Sequence, residues 1–383
     1  MDKKTMRKDL KCGYLNGNHR KSFPSDFVQM RKAADPQLID VPINHPRGSE
    51  SSGAAGFDRI TPEYFLPALE DALACRLTGL ASALPSYINR VYEIEAATGE
   101  RLVVKFYRPG RWTREAILEE HEFLWDCDGE EIPVVPPYEL ETDSTLGELD
   151  GVFFAIFPRM RGREIELEQD ETLERVGSLL GRIHACGERR AAPHRLRMTP
   201  ASFAEAAMRR IFESGAVDPS CEQELIDLCD TILDLAEAVY PPDDAMIRIH
   251  GDFHRANVLD RPGTGLMAID FDDMVTGPPV QDLWLLLPGT LSESKRELDV
   301  ILAAYEVFRP FDRASLRLVE PLRAMRMMHF LSWCAVQSGD AGFRRQYPDW
   351  GTREFWRRET ADFRIQLENI RRALDGKDYS WNR

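Results

Sequence analysis

Residues 245–274, "AMIRIHGDFHRANVLDRPGTGLMAIDFDDM", decide how the whole chain reads. Two short apolar runs alternate here with polar loops rich in His and Asp, inside a region otherwise patterned for helices. Asp252, Asp270, Asp272, Asn257, His250 and His254 all fall between positions 250 and 272. Taken singly, an Asp or Asn in a turn bonds nearby backbone amides and a buried His is satisfied within a core. Three carboxylates converging between buried strands, however, repel one another unless a cation joins them. A metal site is therefore expected here.

Around that stretch the periodicity is helical. Leu173, Val176, Leu180 and Ile183 share one face, and "ELIDLCDTILDLAEAVY" (224–240), "LDVILAAYEVF" (298–308) and "EPLRAMRMMHFLSW" (320–333) repeat the pattern. Toward the N-terminus, Thr61 is placed to cap a helix with Pro62 at its first position and Phe65, Leu66, Leu69 and Leu73 following. Strands are predicted at 77–84, 90–96 and 101–108, joined by the loop Pro85 to Asn89 and a turn at Thr98 and Gly99. A helix from Thr113 to Cys127 and an apolar strand over 151–160 complete an order β, β, β, α, β. The fold class is α+β, a small antiparallel-sheet lobe followed by a larger helical one.

Residues 1–56 carry ten Lys and Arg against six Asp and Glu, +4, which leaves −19 of the net −15 for the remainder. With no sustained hydrophobic period, this segment is expected to be a disordered basic extension or an overcalled start, with a docking arm as the alternative. The division expected is thus 1–56, a nucleotide-binding lobe over 57–160, and a catalytic lobe over 161–383. A net charge of −15 speaks against a general nucleic-acid-binding surface. Seven scattered cysteines with no two-residue spacing are expected to be reduced thiols. Without a membrane-length apolar run or a signal-peptide core, the expected compartment is the cytoplasm.

The chemistry that fits these residues is phosphoryl transfer, which needs a carboxylate to receive the acceptor's proton and oxygen ligands for a metal on the phosphates. Asp252 and Asn257 are five apart, the Asp-to-Asn spacing of the kinase catalytic loop, and Asp270 follows a strand in "AIDFDD". Lys105, in "LVVKFY", shares a strand face with Val103, opposite Val104 and Phe106. On an edge strand such a Lys is merely solvated. Its functional reading is an ammonium reaching nucleotide phosphates and steadied by Glu120, with Glu119 as the neighbouring candidate.

The segments "SYINRVYEI", "VVKFYRPGRW", "ILEEHEF", "GREIE", "GRIHACG", "HGDFHRANV", "IDFDD", "GPPVQDLWLLLPG" and "EPLRAMR" occur in that order. In them the chain resembles the bacterial stress response kinase A family, a branch of the aminoglycoside phosphotransferase-like kinases, from about Phe57 to about Leu374. The resemblance implies a bilobal protein kinase-like fold, with Asp252 as proton acceptor, Asn257 and Asp270 as Mg²⁺ ligands, and Ser86 and Lys105 at ATP. It also implies Ser/Thr phosphorylation of proteins, a monomer, and a part in envelope or oxidative stress.

Departures from general protein kinases fit that branch. "SYINRV" stands where a glycine-rich loop would cover the nucleotide, and no D-F-G or A-P-E element follows Asp270. "GTGLMA" (263–268) precedes a strand rather than the helix a dinucleotide fingerprint demands. Asp282 is expected to support the catalytic loop, and Arg323 and Arg326 to form solvated ion pairs or to contact an acidic substrate. The competing acceptor is a small amine or alcohol of the aminoglycoside, choline or homoserine kind. A nucleotide-binding regulator without turnover and a metallophosphoesterase are the other classes, the latter short of ligand blocks.

Overall fold

The structure, a computed structural model, describes residues 59–376 apart from 87 and 340, so the basic segment 1–56 lies outside the described residues. Helix α1 (Pro62–Leu73) leads into β1 (Leu77–Leu84), β2 (Arg90–Ala96) and β3 (Arg101–Phe106). Then come α2 (Arg114–Gly129), β4 (Gly147–Leu149) and β5 (Val152–Pro158). The five strands form one antiparallel sheet in the order β1-β2-β3-β5-β4. Strand β4 is too short to carry a pattern of its own, and it was not anticipated.

Alternation along β3 divides the sheet's two faces. Val104 and Phe106 turn toward α1, where Phe65 stacks 5.0 Å from Phe106 and 4.8 Å from Tyr92, and Leu69, Ile94 and Ile156 fill the rest. Lys105 turns the other way, toward α2. Register places it opposite Val91 of β2 and Ala155 of β5. Its strand is therefore central rather than an edge, which is why this Lys is buried instead of solvated. Thr61 occupies the N-cap of α1 but makes no capping bond, whereas the Thr113 hydroxyl accepts from the Ala116 N–H and does cap α2.

The remainder is mainly helical: β6 (Arg163–Glu164), α3 (Asp170–Gly187), a π-helical turn (Pro200–Glu205) running into α4 (Ala206–Glu213), and α5 (Pro219–Val239). After β7 (Ile247–Ile249) come the hairpin β8 (Val258–Arg261) and β9 (Gly265–Ala268), then β10 (Val275–Gly277) and α6 (Val280–Trp284). Four helices close the described residues, α7 (Lys295–Tyr305), α8 (Val319–Gln337), α9 (Ala341–Gln346) and α10 (Arg353–Leu374). Helices α3 and α7 pack at backbone contact, because Gly177 and Gly181 present no side chain to the Ile301 and Tyr305 carbonyls. One large apolar core joins these helices except α9, whose Phe343 packs with Trp333 and Tyr347 instead, and it includes Phe123, Leu124 and Cys127 from the C-terminal half of α2. Helix α2 thus belongs to both bodies of the molecule and couples the sheet to the helices.

The six cysteines among the described residues are free thiols. Among the described residues no helix is long and apolar enough to cross a membrane.

His121 on α2 illustrates how polar groups are held under the sheet. Its ring bonds the Tyr107 hydroxyl at 2.9 Å and Thr145 Oγ1 at 2.7 Å, and burial pushes its pKa from 6.5 down to about 3. Between those values the unfolded chain takes up a proton that the folded chain refuses, so stability falls as pH drops below 6.5. The loss between pH 7 and pH 5 amounts to about 2 kcal/mol. In urea unfolding at the two pH values, His121→Gln should lose about 2 kcal/mol less than wild type on acidification. An identical pH dependence for both proteins would count against this.

Candidate active site

The stretch from His250 to Asn257 is folded by its own short-range bonds and by one buried carboxylate behind it. His254 Nδ1 accepts from the Ala256 N–H at 3.2 Å, and the Asn257 N–H donates to the His254 carbonyl at 2.9 Å. Asn257 Nδ2 donates to the Asp252 carbonyl at 3.0 Å. Gly251 has φ +84°, and a Cβ there would overlap the Asp273 carbonyl oxygen, so this turn requires glycine. Asp282, fully buried at the start of α6, accepts the His250 and Gly251 N–H groups at 2.8 Å each.

Asp282 is held in turn. His184 of α3 donates from Nε2 to its Oδ2 at 3.0 Å while Nδ1 takes a hydrogen bond from the Tyr305 hydroxyl at 2.9 Å. Burial, only partly offset by Asp282, lowers the His184 pKa and keeps the ring neutral. The loop is thereby tied to the contact of α3 with α7.

In front of this support Asp252, Asn257 and Asp270 line a cleft of about 260 Å³, together with Ser86, Lys105 and Glu120. Asn257 ends one loop and Asp270 begins the next. The β8–β9 ladder brings them together, since Val258 pairs with Ala268 and the Ile269 N–H reaches the Asn257 carbonyl at 3.0 Å. Asp270 adopts a left-handed backbone, φ 60° and ψ 67°, a strained conformation for a non-glycine residue. Its carboxylate is 49% exposed, whereas that of Asp252 is 8% exposed. Ser86 is exposed in the β1–β2 loop.

Lys105 Nζ lies 3.1 Å from Asp272, 3.4 Å from Asp270 and 3.7 Å from Glu120. Burial pulls its pKa down, but the three carboxylates outweigh burial and hold it well above 10.5. Burial pushes Glu120 up to about 7 against the pull of Lys105. Of the two candidate glutamates it is Glu120 that faces the lysine. Glu119 instead accepts the backbone N–H groups of His194 and Arg195.

The expected convergence of Asp252, Asp270 and Asp272 on one cation does not occur. Among the described residues no three His, Cys, Asp or Glu side chains form a metal cage. Protein cations resolve the repulsion instead: Asp272 is bound by Arg111, by Asn89 Nδ2 at 2.8 Å and by Lys105, and Arg111 also reaches Asp273 at 2.8 Å. Arg195, stacked 4.1 Å over Trp112, donates to the Asp272 carbonyl at 2.7 Å and lies 3.5 Å from Glu120. These partners are 75 to 183 positions apart in the chain, so no local pattern could have paired them.

Asp252 has two close side-chain neighbours, His254 Nε2 at 3.1 Å and Arg326 of α8 at 2.7 Å. Burial alone would raise its pKa, yet these two neighbours hold it well below the usual carboxylate range. Arg323 makes the pair with Glu320 expected of it, at 3.2 Å. Arg326 does not form the solvated ion pair, since its partner is the buried central aspartate.

A model described as "Phosphotransferase enzyme family" matches residues 81–319. "Stress response kinase A" of Escherichia coli (strain K12) is 36% identical over 314 residues, 82% of this chain and 94% of that protein. The chain belongs to the phosphotransferase enzyme family, in its stress response kinase A branch. "Serine/threonine protein kinase RdoA" of Salmonella typhimurium (strain LT2) is equally similar, 36% identical over the same share of both chains. As a member of this branch the protein is an ATP-dependent kinase. Two solved structures share the fold. An amicoumacin kinase in complex with AMP-PNP, Ca²⁺ and Ami has a TM-score of 0.66 at 17% identity, covering 84% of this chain and 96% of that one. A microcompartment-associated aminopropanol kinase has a TM-score of 0.62 at 17% identity, with 83% and 98% covered. The kinase-like α+β fold anticipated from sequence is the one observed.

Asp282→Asn leaves one carbonyl oxygen for two backbone donors, which costs about 1–3 kcal/mol. The kinase loop then shifts, and kcat should fall about 100-fold. The KM for ATP should change little, because Asp282 does not line the cleft. Unaltered kcat in steady-state assays would remove Asp282 from this role.

Proposed function

We propose that this kinase transfers the γ-phosphate of ATP to Ser or Thr hydroxyls of proteins in a bacterial response to envelope or oxidative stress, with Mg²⁺ as its metal. The observation that carries the reading is the meeting of Asp252, Asn257, Asp270 and Lys105 in one cleft. The acceptor class and the stress setting are supported by the names of the relatives, at 36% identity over nearly their full length. We place nucleotide binding in residues 57–160 and the acceptor and metal groups in 161–383, in a monomeric cytoplasmic protein.

Asp252 takes the proton of the acceptor hydroxyl as that oxygen attacks the γ-phosphorus and the bond to the bridging oxygen of ADP breaks. Ion pairing keeps this carboxylate anionic and aimed. Lys105, steadied by Glu120, binds nucleotide phosphates, and Ser86 touches the nucleotide from the loop that replaces a glycine-rich one. The donor set fits Mg²⁺: with Nδ2 of Asn257 turned to the Asp252 carbonyl, its amide oxygen is left for a cation, and Asp270 offers a half-exposed carboxylate beside it. Two hard oxygens with room for water and phosphate ligands suit this ion. Bound there, it would neutralise charge on the phosphates.

Asp252→Asn should reduce phosphorylation of a generic protein substrate by several orders of magnitude while ATP binding persists. Full activity in that variant would mean the base is elsewhere. Removing divalent ions with EDTA should abolish transfer and Mg²⁺ should restore it, whereas transfer in the presence of EDTA would reject the metal assignment. A parallel panel of aminoglycoside, choline and homoserine acceptors tests the small-molecule alternative. Labelling confined to that panel would overturn the protein-kinase reading.

A further inference from the structure

Both oxygens of Asp252 have partners within the chain. Oδ2 is taken from within the loop, by His254 Nε2 at 3.1 Å and Asn257 Nδ2 at 3.5 Å. Oδ1 is taken by Arg326 Nη2 at 2.7 Å, from a helix 74 positions away. An acceptor hydroxyl needs one of these oxygens, and the loop contacts also shape the loop, so Arg326 is the partner that can leave without unfolding it.

Arg326 differs from the other arginines near the cleft. Arg323 is fixed by Glu320 at 3.2 Å, by the Gly289 carbonyl at 2.9 Å and by stacking 4.8 Å over Trp284. Arg111 binds two aspartates, and Arg195 binds two carbonyls, Glu120 and an indole ring. Arg326, with its side chain 14% exposed, has Asp252 as its carboxylate partner among the described residues. One nitrogen makes that contact. The rest of a fork that matches carboxylates two oxygens at a time is available to a ligand. A cationic acceptor would meet this guanidinium beside the base and be repelled, whereas an acidic group would gain a partner.

We propose that Arg326 selects the acceptor: its guanidinium passes from Asp252 to an acidic side chain flanking the acceptor hydroxyl, freeing Oδ1 for the proton, so that the kinase favours Ser or Thr next to Asp or Glu. This deepens the protein-kinase reading and rests on it. Arg326 is a positioning and specificity residue rather than a group that takes part in bond making. The exchange conserves charge pairing, because the guanidinium leaves one carboxylate as it meets another, and the buried Asp252 is released only when an acceptor with the right neighbour is present.

The test uses the full chain with ATP and Mg²⁺ on three peptides that differ only beside the Ser, carrying Asp, Ala or Lys. Wild type should show kcat/KM for the Asp peptide about 10-fold or more above the Ala peptide, with the Lys peptide lowest. In R326A and R326Q the Asp-to-Ala ratio should fall to about 1, the Asp peptide losing most. A purely structural role would lower all three peptides alike. Thermal shift by ATP and Mg²⁺ verifies that the variants fold, and the wild-type ratio needs no variant at all. Equal use of the three peptides by wild type, or a preference that survives in both variants, overturns the assignment of Arg326 while leaving a protein kinase. Transfer to the metabolite panel and to none of the peptides removes both.

Discussion

The ammonium of Lys105, 3.1 Å from Asp272 and within 3.7 Å of Asp270 and Glu120, is the contact on which the arrangement of the cleft depends. A buried charge without partners costs several kcal/mol, so this lysine is tolerable only where the sheet, helix α2 and the loop after β9 meet. The helix supplies Glu120 and the loop Asp270 and Asp272, around a lysine that the sheet carries. The same geometry that satisfies the lysine therefore sets the distance between the sheet, which carries the loop at Ser86, and the stretch that carries Asp252, Asn257 and Asp270. Arg111, Asn89 and Arg195 bind the opposite side of Asp272, so the contact is braced across the whole gap between the two bodies.

Much of this was legible in residues 245–274 and little of it in the partners. The Asp252-to-Asn257 interval and the strand before Asp270 are local features, and local features survive in a one-dimensional reading. The face on which Lys105 lies also followed from alternation, because a strand's period of two is independent of what it packs against. The burial of that lysine did not follow, since it depends on strand order, and β5 arrives after a helix and a long connection. Arg111 and Arg195 look like ordinary surface arginines in sequence; only the folded chain brings them to Asp272 and Trp112. Helix α10 went unnoticed although its apolar spacing is regular, as its many charges lower the mean hydropathy of the segment.

Asp252 is governed from two directions by groups of different character. Behind it, the chain from Asp282 through His184 to Tyr305 is buried, neutral at the imidazole and fixed by backbone N–H donors, so it sets where the loop lies. In front of it, Arg326 is partly exposed and held by one contact, so it sets what the carboxylate is bonded to. The first arrangement resists change and the second permits it. The base proposed at Asp252 would have to be anionic before the acceptor binds and unobstructed once it has bound, which requires both.

The distribution of burial among the carboxylates then has a physical reason. Asp272 spends its charge on fixed arginines and a lysine, and Asp252 on an arginine and a histidine, which leaves Asp270 as the exposed acid of the group. Side-chain partners from this chain offset the charge of Asp272 and Asp252 without any bound ion. The half-exposed Asp270 carboxylate and the Asn257 amide oxygen are then the groups left for the Mg²⁺ proposed above, an ion that the fold itself does not need in order to offset its acids.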